Sequence, residues 1–167
     1  MDNSEDTGPA ARIKQAREQA VADAHAVGVN PAFISRLVDR FYERIRADEV
    51  LAPIFASRIK PEDWPRHMMT MKRFWASVIL NAGIYSGKPM LVHKQVDMIR
   101  EAHFDRWLAL FEFTLRDIAP SDAAIELFME KAGIVLPHLT PDKTVAVFLI
   151  TKPYSIKEYS VPCRTVL

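Results

Sequence analysis

The sequence predicts an all-α fold, and three observations support this. Apolar residues recur at steps of three and four in each long segment, as they do on one face of a helix. Helix-capping residues such as Asn30 and Ser121 stand where these segments begin. A chain of 167 residues with 49% hydrophobic content can bury one substantial core, so we expect one compact domain with extensions.

The first two predicted helices differ in character. Residues 10–27 are rich in Ala, Gln, Glu and Arg, which favours a solvated helix, and Gly28 stands where a C-cap would end it. Asn30 and Pro31 then supply an N-cap and a first-turn proline for a helix that runs to about Arg46. Its apolar face predicts a core helix and consists of Phe33, Ile34, Leu37, Val38, Phe41, Tyr42 and Ile45.

The rest of the chain alternates corners with helices. Residues 48–59 predict short helical turns and a tight corner, and a long helix follows from Asp63 to about 81–83. The composition of residues 84–89 predicts turns, after which Pro89 is expected to open only a short helix. Further helices are predicted at about 100–118 and, capped by Ser121, at about 121–136. Residues 144–150 prefer a strand by composition and lead into a polar tail.

Charge and cysteine content argue against several classes of function. The 22 basic and 21 acidic residues give a net charge of +1 without a long run of one sign, so neither nucleic-acid nor membrane binding is expected. The start of the chain is acidic where a secretory signal would be basic, and no apolar stretch approaches transmembrane length. We therefore expect a cytoplasmic protein. Cys163 is the only cysteine, which excludes an intrachain disulfide and a thiolate metal site.

Two histidines stand among aromatic and Met side chains. His67 lies in the predicted long helix, and His93 ends the short run that follows Pro89. They have no Cys partner and no His-Glu-x-x-His pattern, so zinc is disfavoured, and no Glu-x-x-His pair indicates a di-iron bundle. Haem needs one axial histidine and a flat apolar cavity, so it is the cofactor that these residues favour.

Aromatic and Met residues could line such a cavity, although the same spacing is typical of an ordinary core. The candidates for the lining are Phe41, Phe55, Met71, Phe74, Trp75, Met90, Phe104 and Phe111. His67 could equally be a core-edge histidine with one satisfied nitrogen, and the hydroxyl of Tyr42 could bond the backbone. Taken one at a time, these residues do not separate a cofactor pocket from a core.

The order of these residues resembles a known family. The motifs are Phe41-Tyr42, Pro53-Ile54-Phe55, His67 followed by Phe74-Trp75, Tyr85-x-Gly87-x-Pro89-x-x-x-His93, and His103-Phe104-x-x-Trp107-Leu108-x-Leu110-Phe111. As an ordered set over residues 30–136 they are similar to the group III truncated haemoglobins. The resemblance implies a shortened globin fold in which two helices pack over two and enclose haem b.

We therefore expect three parts. Residues 1–28 form an N-terminal extension with an extra helix, residues 29–140 form the truncated globin domain, and residues 141–167 form an irregular C-terminal tail. The last predicted helix is cut short by Pro137 and Pro141, after which the resemblance ends.

The resemblance also implies roles for individual residues. His93 would be the proximal iron ligand, and Tyr42, His67 and Trp107 would be the polar groups of the distal side, where Phe55 would pack on the ring. His67 could face the ligand or swing towards solvent as a gate. Candidates for binding the haem carboxylates are Arg73, Tyr85 and Lys94.

A polar distal pocket predicts binding of oxygen, nitric oxide and carbon monoxide. Donors in a low-dielectric pocket hold a ligand that acquires negative charge, so slow oxygen release is expected. This favours redox chemistry, either oxidation of nitric oxide or activation of peroxide, over oxygen delivery. The chain carries no flavin or nicotinamide motif, so a separate reductase would supply electrons. The alternatives are a gas sensor or partner-binding domain without turnover, and a haem-free helical bundle.

Overall fold

A computed structural model describes residues 8–85 and 100–135, and these residues form helices without a strand. The helices are α1 (Pro9–Ala26), α2 (Pro31–Ala47), α3 (Ala52–Ala56), α4 (Trp64–Leu80), α5 (Glu101–Ile118) and α6 (Asp122–Val135). A single 3₁₀ turn, Pro61–Asp63, leads into α4. The all-α prediction is confirmed, whereas the strand-like segment 144–150 lies outside the described residues. In the described ranges, no helix has both the length and the apolarity needed to cross a lipid bilayer.

Four long helices form the two-over-two arrangement. Helix α2 packs against α4 and α5, and α6 also packs against α4 and α5. Helix α3 packs on α2, and α1 packs on α4. The first helix is mostly exposed, as its polar composition predicts, but its last turn buries Ala24 completely.

Helix α2 forms where the sequence predicts it. Asn30 has extended backbone angles, and its side-chain oxygen accepts a hydrogen bond from the Phe33 N–H at 2.9 Å, which satisfies one of the free donors of the first turn. Pro31 follows at the position where its fixed φ favours a helix. The predicted apolar face is buried at all seven positions, Phe33, Ile34, Leu37, Val38, Phe41, Tyr42 and Ile45.

The centre of the core is a set of aromatic rings around Phe111, which is completely buried. Trp75 of α4 stacks on Phe111 with ring centroids 4.9 Å apart, and Phe128 of α6 meets its edge at 6.3 Å. Phe41 of α2 lies edge-on to Phe111 at 5.0 Å. We refer to Trp75, Phe111 and Phe128 as the core cluster. It joins α4, α5 and α6, and Phe41 connects it to α2.

The loop before α2 and the loop before α6 contact each other. Gly28 has φ of +84°, and a Cβ atom there would lie 2.9 Å from the ring of Pro120. Ser121 donates a hydrogen bond to the Val27 carbonyl at 2.9 Å and accepts one from the Ala124 N–H at 3.2 Å. The prediction that Ser121 caps the last helix is confirmed, and the same hydroxyl ties that helix to the start of the domain.

Candidate functional site

Four rings from α2, α3 and α4 meet at one end of the helix pair. Tyr42 and His67 lie edge to face with centroids 5.1 Å apart. Phe55 contacts Tyr42 at 5.8 Å and His67 at 6.4 Å, and Trp64 contacts the same two rings at 6.2 and 5.6 Å. We refer to Tyr42, Phe55, Trp64 and His67 as the histidine cluster. The structure thus brings together two of the predicted distal residues and the phenylalanine predicted to accompany them.

His67 has a buried nitrogen without a partner. Its Nε2 atom is shielded from solvent and makes no hydrogen bond within the described part of the chain. Burial lowers the pKa of the imidazole to about 4, because a charged ring would lose its hydration among apolar neighbours. His67 is therefore a neutral imidazole at pH 7.

Tyr42 is buried and only 5% exposed. Burial raises the pKa of the Tyr42 hydroxyl well above its usual range, because the phenolate would be poorly solvated there. The group therefore keeps its proton at physiological pH. It is available as a hydrogen-bond donor to a molecule held beside the cluster.

Trp107 reaches the same region from α5. Its ring lies edge to face with Phe41 at 4.9 Å, and Phe41 in turn contacts Tyr42 at 5.4 Å. Trp107 is half-buried and also stacks on Phe111 at 4.9 Å, so its ring plane is fixed from two sides. The third predicted distal residue is thus one ring removed from the histidine cluster.

A stripe of half-buried side chains continues from His67 along α4. Met71, Phe74 and Val78 follow at steps of four, three and four residues, which places them on one side of the helix. Trp75, by contrast, points into the core and is 3% exposed. This stripe gives α4 an elongated apolar surface that begins at the polar Nε2 atom of His67.

The remaining predicted site residues occupy three kinds of position. Phe41, Phe104 and Phe111 are buried with the core, and Arg73 is exposed on α4. Tyr85 is half-buried against the Phe74 ring at 5.2 Å, and its N–H donates to the Ser77 hydroxyl at 3.0 Å. Met90, His93 and Lys94 lie outside the described residues, so their predicted roles stay predictions.

Sequence reasoning missed several neighbours of the site. Trp64 was not predicted to belong to it, although its spacing of three residues from His67 on one helix indicates contact. The guanidinium of Arg46 lies 5.0 Å above the Trp64 ring. The ion pair between Asp48 and Arg106 was also missed, since no local pattern links two residues so far apart.

Comparisons with known proteins agree on one family. The family described as bacterial-like globin matches residues 24–133. Group 3 truncated hemoglobin ctb from Campylobacter jejuni is 31% identical over 112 residues, which cover 66% of this chain and 87% of that protein. A crystal structure of group III truncated hemoglobin from Campylobacter jejuni superposes with a TM-score of 0.59 at 28% identity, and the match covers 72% of this chain and 88% of that one.

The family implies a haem cofactor and gaseous ligands such as oxygen. The described residues fit such a group in two respects. The half-buried stripe on α4 offers an apolar surface for a planar molecule, and the buried Nε2 of His67 lacks a protein partner within the described ranges. Fold, motifs and comparisons therefore lead to the same conclusion: this chain belongs to the bacterial-like globins and is a group III truncated haemoglobin.

Proposed function

We propose that the chain binds haem b through His93 and holds a diatomic ligand beside Tyr42, His67 and Trp107 for redox chemistry on that ligand. One observation supports this above the others. The histidine cluster keeps the Nε2 atom of His67 buried without a hydrogen-bond partner among the described residues, next to the buried Tyr42, whose hydroxyl stays protonated. When bound, haem supplies an iron centre that takes up diatomic gases and exchanges electrons with them.

The absence of a partner for Nε2 of His67 in the described ranges costs free energy. A buried polar group without a hydrogen bond destabilises the fold by about 1–3 kcal/mol. Such groups are rare in folded proteins and commonly mark places where another molecule completes the hydrogen bond. In this proposal a small polar ligand hydrogen-bonds to Nε2 of His67, which removes the penalty, and also accepts a hydrogen bond from Tyr42.

The protonation states favour retention of a negatively polarised ligand. Burial keeps Tyr42 protonated, because its hydroxyl pKa is raised, and keeps His67 neutral. The Trp107 indole is a donor at every pH. Hydrogen bonds to a charged acceptor are about twice as strong as neutral ones, and the aromatic surroundings limit screening by water. A ligand held in this way leaves slowly, which suits oxidation of nitric oxide or activation of peroxide better than oxygen delivery.

Two further elements belong to the proposal. The haem carboxylates would be bound by Arg73, Tyr85 and Lys94, because a carboxylate pairs with a cation or accepts a hydrogen bond from a hydroxyl. A separate reductase would supply electrons, because the sequence carries no flavin or nicotinamide motif.

Replacement of the proposed iron ligand tests haem binding. We expect His93→Ala to abolish stable haem incorporation and to lower the unfolding temperature, because a bound cofactor stabilises only the folded state. The haem absorption band of the purified protein measures the first effect, and thermal unfolding measures the second. If His93→Ala kept full haem occupancy while His67→Ala lost it, the two sides of the pocket would be reversed.

Removal of one hydroxyl tests the polar pocket. We expect Tyr42→Phe to speed oxygen dissociation by about one to two orders of magnitude, which corresponds to roughly 1.5–3 kcal/mol for a hydrogen bond to a charged acceptor. Carbon monoxide dissociation should change much less, because that ligand carries little charge when bound. Stopped-flow ligand replacement measures both rates.

A matched control makes the same chemical change elsewhere. Tyr154→Phe removes a tyrosine hydroxyl in the segment outside the proposed domain and should leave both rates unchanged. If Tyr42→Phe also left oxygen dissociation unchanged, the pocket would not act by hydrogen bonding. The alternative, a gas sensor or partner-binding domain without turnover, would then be the better interpretation.

A further inference from the structure

A buried ion pair connects the corner after α2 with the first half of α5. The Oδ2 atom of Asp48 accepts a hydrogen bond from the Nε atom of Arg106 at 2.9 Å, and the Nη2 atom of Arg106 lies 2.7 Å from the same oxygen in the ion pair. The Asp48 side chain is 3% exposed and that of Arg106 is 35% exposed. Two donors from one planar guanidinium fix direction as well as distance.

The other carboxylate oxygen of Asp48 organises the corner itself. Oδ1 accepts hydrogen bonds from the N–H groups of Val50 at 3.0 Å and Leu51 at 2.9 Å, and the Asp48 carbonyl accepts one from the Ala52 N–H at 2.9 Å. These bonds start α3, where the Leu51 carbonyl accepts the Phe55 N–H at 3.1 Å. The carboxylate is thus bonded to the corner on one side and to α5 on the other.

Both partners of the ion pair are close in sequence to residues of the site. Phe55 lies in α3, the short helix that follows the turn capped by Asp48, and its ring contacts Tyr42 and His67. Arg106 immediately precedes Trp107, whose ring contacts Phe41 at 4.9 Å. A change in the distance between Asp48 and Arg106 would therefore move Phe55 and Trp107 relative to each other.

We propose that Asp48 and Arg106 are a positioning pair that fixes the separation of Phe55 and Trp107 and thereby sets how long the pocket retains a negatively polarised ligand. This inference rests on the function proposed above. Burial by itself would raise the pKa of Asp48, but the hydrogen bonds from Arg106 and Leu51 outweigh it and lower that pKa. The carboxylate is therefore ionised at physiological pH, and the pair remains formed.

Asp48→Asn in the haem-loaded protein tests the pair with a minimal change. Asparagine keeps a carbonyl oxygen for the Val50 and Leu51 N–H groups but removes the charge that faces Arg106. We expect oxygen dissociation to speed up about fivefold or more, within the range typical of residues that act through others, while carbon monoxide dissociation changes less than about twofold. Arg106→Gln should shift both rates in the same way.

Asp117→Asn is the matched control. Asp117 of α5 also pairs with residues of α2, with Arg44 at 2.6 Å and with Arg40 at 3.6 Å, and none of these three residues belongs to the histidine cluster. Loss of the ion pairs of Asp117 should leave the rate of oxygen dissociation unchanged. The second readout is the indole N–H resonance of Trp107 in the carbon monoxide complex, which should move in Asp48→Asn and stay in place in Asp117→Asn.

The outcomes separate this inference from the proposed function. Unchanged oxygen dissociation and an unmoved Trp107 resonance in Asp48→Asn would overturn the positioning role, and so would an equal effect of Asp117→Asn. If Asp48→Asn does not fold, Arg106→Gln decides by the same criteria. If Tyr42→Phe fails to speed oxygen dissociation, the proposed function is wrong, whereas the Trp107 resonance still reports whether the pair positions the ring.

Discussion

The protein contains two aromatic clusters of similar composition that behave differently. In the core cluster, Phe111 and Phe128 are completely buried and Trp75 nearly so, and the three rings pack against one another. The histidine cluster has comparable ring distances but includes the Tyr42 hydroxyl and the buried Nε2 of His67. Phe41 contacts rings of both regions.

The difference shows how one fold separates stability from function. Apolar rings gain free energy from burial and from edge and stacked contacts, so the core cluster stabilises the domain. A polar atom buried without a partner costs free energy, so Nε2 of His67 weakens the domain unless a ligand satisfies it. The core cluster lies beside the histidine cluster and holds Trp107 through its stack on Phe111.

The largest effect on stability is expected in the core cluster. Phe111→Ala should lower the free energy of unfolding by about 3–5 kcal/mol, because it removes a fully buried ring and leaves a cavity. Phe113→Ala is the matched control on the same helix, where the ring is 45% exposed, and should cost about 1 kcal/mol or less. Urea unfolding of the two variants measures the difference. A similar loss in both would mean that Phe111 is not central to the core.

A medium effect is expected from acid in the histidine cluster. The pKa of His67 is lowered from 6.5 to about 4 in the folded protein, so between these values the unfolded chain binds more protons than the folded one. The contribution of neutral His67 to the free energy of unfolding should be fully present above pH 6.5. It should be lost as the pH drops towards 4, by on the order of 2 kcal/mol after allowance for partial exposure of the ring.

His67→Leu is the control for this acid effect. Leucine cannot be protonated and leaves no buried nitrogen, so this part of the pH dependence should disappear and stability at pH 7 should rise by about 1 kcal/mol. Thermal unfolding at pH 7 and pH 5 measures both. An unchanged pH dependence in His67→Leu would show that another group causes the acid sensitivity.

The smallest effect is expected outside both clusters. We propose that residues 29–140 form the globin domain, with residues 1–28 as an extension and residues 141–167 as a tail. A protein that ends near Thr140 should fold and keep the haem absorption spectrum of the full chain. Loss of folding would show that the tail packs on the core and that this boundary is wrong.

Local patterns predicted the helices, whereas the grouping of the site residues came from the resemblance to a family. The predicted core face of α2 matches its buried residues, the cap at Asn30 is present, and α4 ends at Asn81, which has φ of +49°. The resemblance put Tyr42 and His67 on one side of a pocket; their rings are in contact in the structure, and their distal roles stay predictions. The helix and cap predictions rest on helical spacing and capping, which depend on residues close in sequence.

What the sequence did not predict depends on distant residues. The Asp48–Arg106 pair spans 58 positions, and the Ser121–Val27 hydrogen bond spans 94. Such contacts arise only once the helices are packed, so periodicity along the chain carries no signal for them.

The contact of Gly28 with Pro120 has a consequence for how the chain can be altered. Because that glycine needs a positive φ and leaves no room for a Cβ atom, one residue inserted between Val27 and Pro31 would displace the whole junction. The match to the globin family begins at residue 24. Insertions or fusions ahead of Pro9 would therefore spare this junction, whereas changes within α1 would also affect its packing on α4 and the last turn, which buries Ala24.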